Sequence, residues 1–470
     1  MAGTILSVTK SGSNTPTESL PEEIRNRETH QVDIGASYYA GSLTIPSLNQ
    51  AFSVFDPAPI LEEEIGLVGD SGKGGTSKVF RGSYGDRQVC AIKVMDWRAL
   101  LGRSPDYIED YLRKFGGEGR DVQTMFRRCS DDPRLARIIQ VHKYGSYIIP
   151  HIIMEFVDGT DLDNIVLDRT ISTNLTPGLS RSDVVNNIYP RAPVSTMDEV
   201  HQLLRSYIQS SEGLELLHEQ SIIHRDIKPA NILVDRSGNI RITDLGLVKS
   251  LDTERVRTKG TIIGTPVFMS PEQINMAHNS RELTVQSDTY SFGGTMFYTL
   301  TGQYAHSFSD ADTSTTKAMC IVGNVAGIKG FDILSDELGA RLEYSFGPIK
   351  DWCLEYDPVD RPTTKARTYA IIGAAVELGV EPEHIRSYSY VEQDDVSELV
   401  ADVYSWTDSR RKELVVSGLK HAGHTDVMDA YETALNQTAY SEVDTSKLKL
   451  SERLTLAANA VINIMSGSNQ

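Results

Sequence analysis

At 470 residues, with 40% hydrophobic and 23% charged side chains, the chain has ample material for a core and the length of about three ordinary domains, although one large module can absorb nearly two of them. Its formal net charge of −18 argues against a broad surface for nucleic acid or anionic membrane. No run approaches the roughly 18 apolar residues of a membrane span, the opening Met1-Ala-Gly-Thr-Ile-Leu-Ser lacks the shape of a signal peptide, and Cys90, Cys129, Cys320 and Cys353 form neither a disulfide framework nor a zinc pattern, so a reducing, cytoplasmic setting is expected.

Residues 1–60 are rich in Ser, Thr, Asn and Pro without sustained periodicity and read as a flexible or docking arm. Order is expected from Leu61. Ile65 to Val68, Ser77 to Gly82 and Val89 to Met95 have strand character, with Gly-rich turns after the first and Gly85-Asp-Arg87 after the second. The stretch Gly72-Lys-Gly-Gly-Thr-Ser-Lys-Val79 offers free backbone N–H groups of the kind that cradle phosphates. It is not a Walker A loop, because no glycine lies five residues before Gly72 and Gly74 stands where Ser or Thr would follow Lys73.

Ser104-Pro105 has the form of a helix start. Phe115, Glu118, Val122 and Met125 share a helical face, but Gly116, Gly117 and Gly119 each cost that helix up to about 1 kcal/mol relative to alanine. A helix that is marginal on its own follows. Tyr147 to Val157 reads as a strand leading to a connection, residues 167 to about 195 as an insert between helices, and Met197 to Glu219 as an amphipathic helix with Val200, Leu203, Leu204, Tyr207, Ile208, Leu214 and Leu217 on its core side.

The richest chemistry lies in residues 221–246. The runs Ile232 to Val234 and Ile240 to Ile242 predict two strands joined by a turn at Asp235-Arg-Ser-Gly-Asn239, where Gly238 can take a positive φ. That hairpin brings Asn231 and Asp244 together as two oxygen ligands for a hard divalent ion such as magnesium. Asp226 and Lys228 supply a base and a cation beside them. Beyond residue 377, one-sided apolar stripes predict four helices, over Val396 to Val403, Leu414 to Leu419, Val427 to Leu435 and Leu450 to Met465.

His224-Arg225-Asp226-Ile-Lys228-Pro-Ala-Asn231 followed by Asp244-Leu-Gly246 resembles the catalytic loop and magnesium motif of eukaryotic-type serine/threonine protein kinases. Further motifs in the same order strengthen the resemblance: the Gly-rich loop with Ser77 for its third glycine, Ala91-Ile-Lys93, Gly264-Thr-Pro-Val-Phe-Met-Ser-Pro-Glu272, Ser287-Asp-Thr-Tyr-Ser-Phe-Gly293 and Asp360-Arg361-Pro-Thr363. The resemblance implies an α+β, bilobal fold, with an N-lobe over 61–157, a C-lobe over 158–376 and an additional helical segment over 377–470. It implies ATP and Mg²⁺ as cofactors, and protein substrates carrying Ser or Thr. A pseudokinase scaffold and a small-molecule kinase are the alternatives.

Site roles follow from the same resemblance. Gly72, Lys73, Gly74, Val79, Ala91 and Leu233 would surround the nucleotide, with Met154 as gatekeeper, Glu155 and Val157 facing adenine through their backbones and Asp161 contacting ribose. Lys93, paired with Glu118, would hold the α- and β-phosphates. Asn231 and Asp244 would hold the metal, and Thr265 would bond Asp226 and Lys228. Asp288 would tie down the backbone at His224-Arg225, and Glu272 would pair with Arg361. Counting back from Glu272 places a regulatory phosphothreonine at Thr261, with Thr258 as runner-up, facing Arg225 and Lys249. A regulatory partner is expected at the C-terminal helices, and neither nucleic acid nor a membrane span.

Overall fold

Three sheets and a helical mass make up the computed structural model, which describes residues 59–65, 77–95 except 87, 132–142, 151–173, 191–244, 249–250, 266–275, 283–308, 314–324, 327–388 and 396–439. The first piece is an antiparallel sheet of β1 (Ile60–Glu64), β2 (Ser77–Tyr84), β3 (Gln88–Met95), β4 (Ile138–His142) and β5 (His151–Glu155), in the order β1-β2-β3-β5-β4. The side-chain period of two decides what each face of β3 does. Cys90, Ile92 and Val94 are fully buried in the sheet's own core, whereas Ala91 and Lys93 lie on the opposite face.

The first strand lies ahead of the one the sequence predicts. It covers Ile60–Glu64, and of the expected strand Ile65 to Val68 only Ile65 lies among the described residues. Three successive glutamates hide the strand from a hydrophobicity pattern, since it is an edge strand that buries only Leu61. Its backbone passes so close to β2 that a Cβ on Gly82 would meet the Ile60 carbonyl oxygen at 2.2 Å. The strand β4 was not anticipated either.

Next come β6 (Gly159–Asp161), α1 (Leu162–Thr173), α2 (Met197–Glu219), β7 (Ile222–Ile223), β8 (Ile232–Asp235), β9 (Ile240–Ile242) and β10 (Lys249–Ser250). Residues 167–173, assigned to an insert on sequence, are instead the end of α1, and 174–190 lie outside the described residues. Leu162, Val166, Leu167 and Thr170 are buried at helical spacing, and Arg169 reaches the carbonyl oxygens of Ala192 (2.9 Å) and Thr299 (2.7 Å), which holds the end of α1 against the core. Thr196 and Glu199 form a reciprocal capping box that starts α2 where the sequence predicts it. The β8–β9 hairpin also forms as expected, with Gly238 at φ 78°.

The lobes are joined near Arg134. Its guanidinium lies 2.7 Å from Asp132 and 2.9 Å from the buried Glu212 of α2, while its carbonyl oxygen accepts the N–H of Ile242. The chain entering β4 is thereby fixed to both α2 and β9.

The helical mass continues with α3 (Pro271–Asn275), α4 (Gln286–Thr301), α5 (Ser314–Val322), α6 (Asp336–Ser345), α7 (Gly347–Cys353) and α8 (Thr364–Glu377). Then follow α9 (Pro382–Tyr388), α10 (Ser397–Ser405), α11 (Ser409–Ala422) and α12 (Thr425–Ala439). Three of the four expected C-terminal helices are present, α9 is an addition, and the stripe Leu450 to Met465 lies outside the described residues. These helices share the core of the preceding ones: Val400, Val403, Leu414, Val415, Leu419 and Met428 pack in one cluster with Tyr369 and Ile372. The crossing of α8 and α11 depends on glycines, because a Cβ on Gly418 would sit 1.9 Å from the Tyr369 carbonyl oxygen and one on Gly373 2.0 Å from that of Leu414. Among the described residues no helix is long and apolar enough to cross a membrane.

Candidate active site

The site begins with backbone strain. Arg225 and Asp244 adopt φ values of 71° and 60°, in the left-handed region that costs a non-glycine residue about 1–2 kcal/mol. Arg225 is held there by Asp288, whose fully buried carboxylate accepts the backbone N–H groups of His224 and Arg225, both at 2.8 Å. Burial pushes the Asp288 carboxyl up, and the His218 ring, followed by His224 and the Arg225 N–H, overcomes that and holds it below the usual carboxylate range. His218 also contacts Thr364 Oγ1 at 2.6 Å and Asp288 Oδ2 at 2.9 Å. Burial drives its pKa down, and its two ring nitrogens link Thr364 of α8 to Asp288 of α4.

His224 reaches the other strained residue. Its Nε2 lies 2.8 Å from the carbonyl oxygen of Thr243, immediately before Asp244, and the Thr243 N–H donates to the Asn231 carbonyl oxygen at 2.9 Å. The loop, the hairpin and Asp244 therefore form one hydrogen-bonded unit.

Asp226 occupies the middle of that unit. Asn231 Nδ2 donates both to its backbone oxygen (2.7 Å) and to its Oδ2 (2.9 Å), and the Lys228 ammonium lies 3.1 Å from the same carboxylate atom. With both contacts made by its nitrogen, the Asn231 amide keeps its oxygen for another partner. Lys93 Nζ lies 2.5 Å from Asp244 Oδ1. Burial would raise the Asp244 carboxyl, but Lys93, and then Lys228, override it and keep it ionised well below its ordinary value. An ionised carboxylate and a neighbouring amide oxygen are the hard donors magnesium takes, so the residues present fit that ion.

The strand register places further predicted residues. Val79 lies opposite Lys93, Ala91 opposite Met154, and Leu233 opposite Asp161. The Glu155 N–H is spent on the Arg137 carbonyl oxygen, and Val157 is half-buried just after β5. Asp161, expected at ribose, makes local contacts at the start of α1. Nearly sealed from solvent, it starts α1 by accepting the Asn164 N–H (2.8 Å) on one oxygen and Asn164 Nδ2 (2.5 Å) on the other. Burial raises its carboxyl to about 7, with the nearby Asp163 adding to the rise. Gly72, Lys73, Gly74, Glu118, Thr258, Thr261 and Thr265 lie outside the described residues, as does the Lys249 side chain.

Glu272 and Arg361 meet as a buried bidentate pair at 2.6 and 2.9 Å, with Ser287 Oγ donating to the same carboxylate at 2.8 Å. Arg361 also lies over the Tyr290 ring. Burial lifts the Glu272 carboxyl and Arg361 more than reverses that.

A family model described as the protein kinase domain matches residues 67–369, well over half of the chain. The chain belongs to the protein kinase family. The α+β architecture, a sheet above a helical region with extra C-terminal helices, is that of the family's two lobes. Among curated relatives, this kinase chain is 30% identical over 231 residues to the serine/threonine-protein kinase PknL of Mycobacterium tuberculosis, covering 49% of this chain and 47% of the relative. It is 29% identical over 248 residues to the probable serine/threonine-protein kinase PknB of Lactococcus lactis (52% and 32%), and 27% identical over 220 residues to PrkC of Bacillus subtilis (46% and 27%). The chain thus spans less than half the length of these relatives.

Reading the sequence for chemistry missed two contributors to the kinase site. His218 falls on the apolar stripe of α2, four residues after Leu214, and a polar residue on a buried face was the available signal. Gln273, whose side chain donates to the Arg225 carbonyl oxygen, carried no such signal.

Proposed function

We propose that this chain is an active protein serine/threonine kinase that transfers the γ-phosphate of ATP to Ser and Thr hydroxyls of proteins with Mg²⁺. The convergence of Lys93, Asp226, Lys228, Asn231 and Asp244 on one hydrogen-bonded unit carries this reading. Phosphoryl transfer needs positioning and neutralisation of charge more than covalent participation by the protein. Asp226 orients the incoming hydroxyl and takes its proton. Lys228 stabilises charge on the transferring group. Asp244 and Asn231 would hold Mg²⁺, which would supply neutralising charge for the phosphates. Lys93 holds the α/β end, with Glu118 as its partner, and exchanges its contact with Asp244 for phosphate when nucleotide binds. The resemblance at Thr265 and the Lys-Pro after Asp226 support Ser/Thr over Tyr, and Ala230 gives no support for basic-site substrates.

Regulation through the activation segment belongs to the same proposal. Autophosphorylation falls on Thr261, with Thr258 second, and the phosphate pairs with Arg225 and Lys249. The helices beyond 377 serve as a docking site for a regulatory partner, and a reducing cytoplasmic setting suits the free Cys90, Cys320 and Cys353. The test offers the unsubstituted chain, Asp226→Asn and Lys93→Met a mixture of proteins and small metabolites with labelled ATP and magnesium. Phosphoserine and phosphothreonine from the unsubstituted chain alone are expected. Label found only in metabolites, or in no acceptor, would overturn the reading, and intact-mass analysis of active enzyme with both threonines bare would remove the regulatory part.

A further inference from the structure

The peptide unit that leads into Asp226 is gripped by a side chain from α3. Gln273 Nε2 donates to the carbonyl oxygen of Arg225 at 2.8 Å. Its amide orientation is fixed from the other end, where Oε1 accepts from the Ser270 N–H at 3.0 Å and from Ser270 Oγ at 3.2 Å. A reversed amide would set its donors against the Ser270 N–H.

Arg225 is the left-handed residue of the loop, and Asp288 holds only its N-terminal side. Gln273 holds the C-terminal side. The Arg225 carbonyl and the Asp226 N and Cα belong to one rigid plane, so fixing the first places the Cα from which the Asp226 side chain departs. The neighbouring Glu272 sets the register. Its buried pairing with Arg361 and Ser287 stops α3 from rotating, and successive helical side chains diverge by about 100°, which sends Gln273 toward the loop while Glu272 faces the core.

We propose that Gln273 is a positioning residue for Asp226, acting through the Arg225 carbonyl, and that the Glu272–Arg361 pair exists in part to aim it. This rests on the reading of Asp226 as the group that orients the accepting hydroxyl. The surrounding contacts from Asn231 and Lys228 fix the carboxylate, and Gln273 fixes the backbone from which it springs.

Three variants of the full chain separate this role from simple packing. Gln273→Glu keeps the acceptor for Ser270 and removes the donor to Arg225; Gln273→Met removes both at similar volume; Ser270→Ala removes the hydroxyl contact and leaves the donor. The expected result is a single-turnover transfer rate lowered roughly 10- to 100-fold in both Gln273 variants, with the KM for ATP within about twofold of the unsubstituted enzyme and Ser270→Ala near normal. If Gln273→Glu fails to fold, Gln273→Met carries the comparison. Transfer rates within twofold of normal in the folded Gln273 variants overturn the inference. So does a loss that appears only as a higher KM for ATP, or one that Ser270→Ala reproduces alongside a matching fall in Tm. Absence of transfer by the unsubstituted chain strikes instead at the kinase reading, and takes the inference with it.

Discussion

The ammonium of Lys93 lies 2.5 Å from the carboxylate of Asp244, across 151 positions of sequence, and joins the sheet of one lobe to the hairpin of the other. The pair neutralises Asp244 in a part-buried setting where burial alone would raise its pKa. Lys93→Met leaves Asp244 without its nearest cation and, in the proposed reaction, the phosphates without theirs. Transfer to a protein acceptor should fall by at least about 100-fold, measured at saturating ATP so that weaker nucleotide binding is not mistaken for lost chemistry.

Asp226→Asn preserves size while removing the charge that faces Lys228 and, in the proposed reaction, the proton acceptor. Turnover should drop by roughly 10²- to 10⁴-fold, while nucleotide affinity followed by fluorescence titration stays within about threefold. A variant that loses both together would show that Asp226 holds the fold of the cleft.

The Glu272–Arg361 pair is buried, so removing one partner strands the other. Arg361→Ala should destabilise the protein by about 3–5 kcal/mol, read by urea unfolding. Replacing both residues by leucine should cost less than the sum of the single changes, because no unpaired charge then stays inside.

Packing of the C-terminal helices depends on Gly418, where a Cβ would lie 1.9 Å from the Tyr369 carbonyl oxygen. Gly418→Ala should push α11 off α8 at a cost of about 1–3 kcal/mol or more. Faster protease cleavage in residues 396–439, at conditions where the unsubstituted chain resists, is the readout.

Asp161 supplies a pH dependence. Its folded carboxyl titrates near 7, above its unfolded value, so its contribution to stability is full below about pH 4 and is lost as pH rises toward and through 7. Asp161→Asn keeps a capping oxygen and removes the titration. The difference in unfolding free energy between the two proteins should therefore favour the asparagine variant increasingly from pH 5 to pH 8. A flat difference would show that Asp161 is not proton-bearing in the fold.

The local chemistry was legible because it is encoded at short range. Asp226, Lys228 and Asn231 lie within six consecutive residues, and the β8–β9 turn announces itself through Gly238, so the hairpin and the grouping of these side chains follow from sequence alone. Boundaries were less legible where burial is one-sided or comes from afar. The glutamates of β1 conceal an edge strand, and the end of α1 is helical because Arg169 finds carbonyl oxygens at Ala192 and Thr299.

By itself, then, the sequence determined the order of motifs, the helix from Met197 to Glu219 and the hairpin that follows the catalytic-loop motif, since each depends on spacing and side-chain type over a few turns of chain. Tertiary structure alone decided that Asp161 caps a helix, that α11 shares the core of the kinase lobe, and that Gln273 grips the peptide before Asp226. Those outcomes depend on which distant atom fills a hydrogen bond or a gap, and no local pattern records that choice.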